Sequence, residues 1–217
     1  GTMYISDKVY SSVNTENFVM SSFSSWGVPG NLELKPEITA PGGSIYSLNG
    51  VDKSGKAYET MSGTSMASPQ VAGMAAIVAQ YIRENDLEAR TGLSARQLAQ
   101  SLLMSTAIPM LDSTGSYYPV IQQGAGLGNV GAAIMADTYI LMNEDATASY
   151  ADGKVKAELG DDPERTGIYE FTFTLNNLTE EDKSYELDAD LFRQDVFEYQ
   201  PDSNVWLLDT WTVELEG

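Results

Sequence analysis

From Met66 to Ala79 almost every position is apolar, and only Ser68 and Gln70 call for water. A helix that is apolar on every side is buried inside a larger structure. Gly73 costs such a helix about 1 kcal/mol relative to alanine, which predicts a close packing partner at that point. Pro69 fits only a first helical turn, where its missing N–H leaves no bond unmade, so Ser65 is expected at or just before the helix start. A second helix is predicted over 93–107, where Ser94 and Gln97 have capping-box spacing and Ala95, Leu98 and Leu102 share a face. A third, short helix follows a glycine-rich turn within 124–136. Residues 18–25 read as strand-like and 36–43 as a short extended segment broken by Pro41, Gly42 and Gly43.

Beyond about residue 143 the pattern changes. The runs 154–159, 167–175, 184–192 and 204–215 are strand-like, the clearest of them alternating apolar with polar or acidic positions, and turn clusters at 160–167 and 176–183 separate them. Tyr169, Phe171 and Phe173 alternate as the core face of a strand would. The expectation is a β-sandwich of immunoglobulin or fibronectin type, with fewer strands than a whole one needs.

Charge divides the chain at the same place. Residues 1–137 carry 11 acidic and 7 basic side chains, whereas 138–217 carry 20 acidic and 5 basic. With the polar stretch 142–153, this shift marks a boundary between a unit over 1–142 and a second over 143–217. The net charge of −19 speaks against a nucleic-acid partner and against an anionic membrane surface. No apolar run reaches the ~18–20 residues of a membrane span, and the first residues lack the pattern of a signal peptide. The chain has no cysteine and no histidine, which excludes disulfides and thiolate metal sites and leaves no ordinary ligand set for a catalytic zinc.

The candidate chemistry lies at Gly63-Thr64-Ser65-Met66-Ala67-Ser68-Pro69, directly before the long apolar run. A helix start favours the negative charge of a tetrahedral oxyanion. The plainer alternative is that Thr64 or Ser65 caps the helix. A serine hydroxyl needs a base to become a nucleophile, and this chain supplies no imidazole.

The segment "GTSMASPQVAG" resembles the nucleophile segment of the subtilisin-like serine proteases, the subtilases, nearly residue for residue; Gln70 stands where that family usually has a non-catalytic histidine. The resemblance continues upstream through "SSFSSWG" and "LKPEITAPGGSIYS", with its Ala40-Pro41-Gly42 turn, and downstream through "SARQLAQSLLMSTA" and "GAGLGNVGAAI". It covers roughly 18–137. The order of an acidic β-rich unit after this segment is similar to that in the large Gram-positive cell-envelope subtilases of the lactocepin and C5a-peptidase type. The implied fold is α/β, a partial subtilisin-like domain (parallel sheet with helices) followed by a partial all-β fibronectin-like sandwich.

The resemblance implies that Ser65 is the nucleophile of a serine endopeptidase, that the Ser65 N–H donates to the oxyanion, and that Gly63 and Thr64 shape the turn. It places Phe23, Met61, Ser62 and Met66 on the leaving-group side of the cleft, with core packing as the alternative for Phe23 and Met61. In this family the catalytic Asp and His and the oxyanion Asn precede the serine, so the chain is expected to be a fragment that is inactive alone. Its implied partners are a protein or peptide substrate and the upstream half of the same domain, at an extracellular or cell-wall location. No metal site is assigned. Calcium serves many subtilases, but Asp161, Asp162 and the Glu180-Glu181-Asp182 run lack the spacing of a calcium loop and read as solvated. Asn177-Leu178-Thr179 fits a glycosylation sequon and reads as a turn. The rival classes are a non-catalytic subtilase-like scaffold or adhesion module, and a free-standing binding domain.

Overall fold

The computed structural model describes residues 19–28, 30–31, 33–50, 55, 57–113, 115–142, 153–198 and 206–214. The central element is a long helix, α1 (Thr64–Glu84), entered from a hairpin of β1 (Ile45–Leu48) and β2 (Tyr58–Met61). Short helix α2 (Leu87–Thr91) turns the chain into α3 (Ala95–Ser105); α4 (Val120–Gln123) and α5 (Val130–Ile134) follow.

The capping signal for α3 is met, and the short helix expected within 124–136 is α5. Ser94 and Gln97 form the expected capping box, with the Gln97 N–H donating to Ser94 Oγ and the Ser94 N–H to Gln97 Oε1. Asn129 Oδ1 accepts the Ala132 N–H at the start of α5. Leu98 and Leu102 are fully buried and meet Val78 and Ile82 of α1, with Leu87, Ala133 and Tyr139 completing the core. Each such aliphatic side chain contributes about 1.5–3 kcal/mol by leaving water.

The expectation that α1 is buried all round is not met among the described residues. Its Val78–Ile82 face packs on α2, α3 and α5, but Ala72, Gly73 and Ala76 are exposed and Ile77 is 49% exposed. A Cβ on Gly73 would meet nothing within 4 Å, so the close partner predicted there is not among the described residues. Pro69 also lies farther in than expected, at the sixth residue of α1. Its missing N–H leaves the Ser65 carbonyl without the usual donor four residues on.

Strand β3 (Thr138–Met142) pairs antiparallel with β4 (Phe173–Asn177), in the register Thr138↔Asn177 to Met142↔Phe173. Its opposite side is fastened to α3, where Ser101 Oγ donates to the Ile140 carbonyl (2.6 Å) and Ser105 Oγ accepts the Ile140 N–H (3.0 Å). A second pair joins β5 (Asp190–Glu198) to β6 (Trp206–Glu214), also antiparallel. Among the described residues the sheets are these three two-stranded antiparallel pairs, and parallel pairing occurs at the Thr39–Leu127 bridge.

Several strand expectations are corrected. Residues 19–25 form no strand but an irregular segment with a turn at 22–23, closed by the Ser24 N–H donating to the Ser21 carbonyl; Phe18 lies outside the described residues. Of 167–175 only the end from Phe173 is strand, and Tyr169 and Phe171 are half-exposed rather than core. Residues 154–159 join no sheet because their polar groups turn to the helical part. Lys156 Nζ donates to the Leu34 carbonyl and to Glu158, each at 2.8 Å, and the Glu158 carboxylate accepts the Leu34 N–H. Lys154 and Lys35 both pair with Glu37. Burial pushes the Glu37 carboxyl up, but hydrogen bonds from these two lysines outweigh it and hold the group below the usual range. The boundary expected at 142/143 falls at the end of β3, and residues on both sides of it contact the helical part.

The Asn177 side chain caps its own turn, accepting the Thr179 N–H at 2.9 Å. Asp162 likewise folds the 160–167 turn, and the Gly167 N–H that it accepts holds its carboxyl low. No group of three or more acidic side chains among the described residues is arranged to hold a metal ion. No helix among them is long and apolar enough to cross a membrane.

Candidate active site

The turn before α1 is assembled by backbone contacts between two glycines. The Gly63 N–H donates to the Gly42 carbonyl at 2.8 Å, so the Ala40-Pro41-Gly42 turn lies directly against the helix start. A Cβ on Gly42 would stand 2.7 Å from the Gly63 carbonyl oxygen and 3.3 Å from Ala67 Cβ, which leaves room for glycine alone. Gly63 itself has φ 155° and ψ 163°, a conformation that L side chains rarely adopt. Two side chains brace the turn from either side. Gln70 Nε2 donates to the Pro41 carbonyl (2.7 Å), and Ser62 Oγ accepts the Ser44 N–H (2.8 Å).

Ser65 is the second residue of α1 and is exposed. No side chain caps this helix, so the alternative that Thr64 or Ser65 serves as its cap is not what the geometry shows. The Ser65 N–H belongs to the first turn, where an amide has no carbonyl four residues earlier within the helix to donate to. No acidic side chain occupies that turn, so nothing on the helix itself offsets the positive end of its dipole. The result is an open hydroxyl at the start of the helix, with the next amide, that of Met66, turned back to the Gly63 carbonyl at 3.0 Å.

A depression of about 410 Å³ adjoins the serine, between α1 and the β1–β2 hairpin, and Met61 and Met66 line it together with Ser65. Phe23 and Thr64 line a different depression of about 400 Å³, with the Pro41–Ser44 segment and Ala67. Phe23 is 45% exposed there. Ser62 lines neither, since its hydroxyl is taken up by the Ser44 amide.

Sequence reasoning missed the hairpin itself. Ile45-Tyr46-Ser47-Leu48 and Tyr58-Glu59-Thr60-Met61 mix β-branched and aromatic residues around a Gly-, Asn- and Asp-containing connection, which is a hairpin signal. It also missed Glu59, which lines the serine's depression.

A hydroxyl presented at a glycine-shaped helix start, beside a cleft, defines a class. The profile of the subtilase family matches residues 9–158, and the chain belongs to that family. It is 34% identical over 199 residues to the PII-type proteinase of Lacticaseibacillus paracasei, covering 87% of this chain and 10% of that protein. It is 35% identical over 170 residues to the C5a peptidase of Streptococcus pyogenes, covering 77% of this chain and 13% of that one. The minor extracellular protease Vpr of Bacillus subtilis (strain 168) is 33% identical over 172 residues, 78% of this chain and 19% of Vpr. The chain thus spans between a tenth and a fifth of the length of these relatives.

Proposed function

We propose that the chain is the nucleophile-bearing part of a serine endopeptidase of the cell-envelope subtilase type, acting outside the cell on protein or peptide substrates. The observation that carries this is the exposed Ser65 hydroxyl at the uncapped start of α1, with Met61 and Met66 beside it. In this reading Ser65 Oγ attacks the scissile carbonyl, and its proton passes to a histidine in a part of the domain outside this chain. The tetrahedral oxyanion forms where the Ser65 N–H points, and an asparagine from the same outside part supplies a second donor. The amine then leaves, and water attacks the acyl-Ser65 ester and restores the hydroxyl.

The uncovered Ala72–Ile77 side of α1 supports this division of labour, because it is an apolar surface suited to the rest of the domain. The acidic residues after 159 are assigned to the beginning of a fibronectin-like module. Calcium, if the full-length protein uses it, binds elsewhere than in the acidic runs described above.

The test is labelling with a fluorophosphonate probe. The full-length parent is expected to label at Ser65 and its Ser65→Ala variant not at all, with hydrolysis by the variant falling to about 10³–10⁴ over the uncatalysed rate. The isolated chain is expected to stay unlabelled, since it has no imidazole. Rapid stoichiometric labelling of the isolated chain, or near-parental kcat in Ser65→Ala, overturns the assignment.

A further inference from the structure

The hairpin that walls the serine's depression has two chemically different faces. Pairing of Ile45 with Met61 and of Ser47 with Glu59 puts these four side chains on one face. All four line the depression that contains Ser65 and Met66. The opposite face carries Tyr46 and Tyr58, whose rings stack at 5.5 Å. Among the described residues Glu59 is the one charged side chain lining the depression; Ile45, Leu48, Met61, Met66 and Pro69 make most of its wall apolar.

The Glu59 carboxylate is positioned, since Asn49 Nδ2 donates to its Oε2 at 2.8 Å near the loop end of the hairpin. No ion pair to Glu59 occurs among the described residues. An apolar wall ending in a fixed carboxylate matches a long side chain with an aliphatic stem and a cationic head. A glutamate or aspartate in the same place would face like charge.

We propose that this depression receives the first or second substrate residue on the leaving-group side of the scissile bond, and that Glu59 makes the enzyme select lysine or arginine there. The proposal rests on Ser65 being the nucleophile. Glu59 is a specificity residue in this scheme and takes no part in bond making.

The leaving-group side is read directly by the reverse of acylation. The full-length enzyme is acylated with one fixed peptide ester, and dipeptide amides compete with water for the acyl-enzyme. The amine nitrogen bonds to the acyl carbon, the ester bond to Ser65 Oγ breaks, and a proton of the amine returns to that oxygen. Amides carrying lysine or arginine in their first or second position are expected to capture the acyl group better than leucine counterparts, by a factor of up to about five, the upper end for an exposed charge pair. Glu59→Gln keeps an acceptor for Asn49 and is expected to abolish that ratio, whereas Glu59→Lys is expected to turn it in favour of glutamate. Equal capture of lysine and leucine amides by the wild type overturns the proposal, and so does a ratio unchanged in Glu59→Gln. Ser65→Ala run in parallel separates the two failures, because parental ester turnover in that variant overturns the nucleophile assignment instead.

Discussion

Gln70 Nε2 lies 2.7 Å from the carbonyl oxygen of Pro41, so a residue one turn beyond the serine holds the turn on which the serine rests. The two residues are far apart in sequence, and their bond joins the Ala-Pro-Gly turn to the motif helix. Histidine, usual at this position in the family, also carries an N–H able to donate to that carbonyl.

Gln70→His is therefore expected to keep most of the activity of the full-length protein, and Gln70→Ala to lose about 0.5–1.5 kcal/mol of stability with the hydrogen bond. Melting temperature and kcat/KM, measured on both variants, check this. Equal losses in the two would show that the bond to Pro41 is not what position 70 supplies.

Gly42→Ala is the more severe change. Its methyl would collide with the Gly63 carbonyl, which is backbone and cannot swing aside. We expect a loss of about 1–3 kcal/mol, as for other overpacked sites, and slower probe labelling at Ser65 in the full-length enzyme. A variant with parental labelling would mean that the two turns separate without consequence.

Acid should loosen the contact between 154–158 and 33–37. Glu37 is held low by Lys35 and Lys154 against the opposing effect of burial, and Glu158 by its hydrogen bond from Lys156. Carboxyls lowered on folding add stability that is present above their ordinary value near 4.5 and is lost as pH falls through the lowered one. Lys156→Gln is expected to cost about 1.5–3 kcal/mol at pH 7, the range for hydrogen bonds to charged groups. Its melting temperature should then fall less than the wild type's between pH 5 and pH 3. Parallel pH profiles would count against the assignment.

Limited proteolysis is expected to cut first within 142–153, where the sequence is polar and interspersed with alanines, and to spare α1. The two products should stay together on a sizing column at neutral pH. β3 and β4 pair across the cut, Lys183 reaches Asp137 at 2.7 Å, and Lys156 reaches Leu34. Separation without denaturant would show that these contacts do not hold.

What the sequence made legible was what short-range chemistry decides. The Ser94–Gln97 capping box, the short helix after the glycine-rich turn within 124–136 and the position of Ser65 at a helix start all depend on residues within a few places of one another. The fate of 154–159 was not legible, because alternation of Lys154, Lys156 and Glu158 looks the same in a strand as in an extended segment bound to a distant loop. The exposure of Ala72 and Gly73 was likewise hidden, since an apolar sequence says that a face wants cover but not where the cover comes from. Glu59 went unnoticed because a single glutamate has no motif; only its pairing with Ser47, which puts it on the same face as Met61, brings it to the serine's depression.

The lysines at 154 and 156 also set where this protein can be recombined. Chimeras that exchange the acidic C-terminal part with that of a relative should be joined after Glu158, at the end of the family match. A junction at 143 would replace the lysines while leaving Glu37 and the Leu34 carbonyl in place. Grafts made there would inherit a poor seam, whereas those made after Glu158 would leave the recipient's own fastening in place.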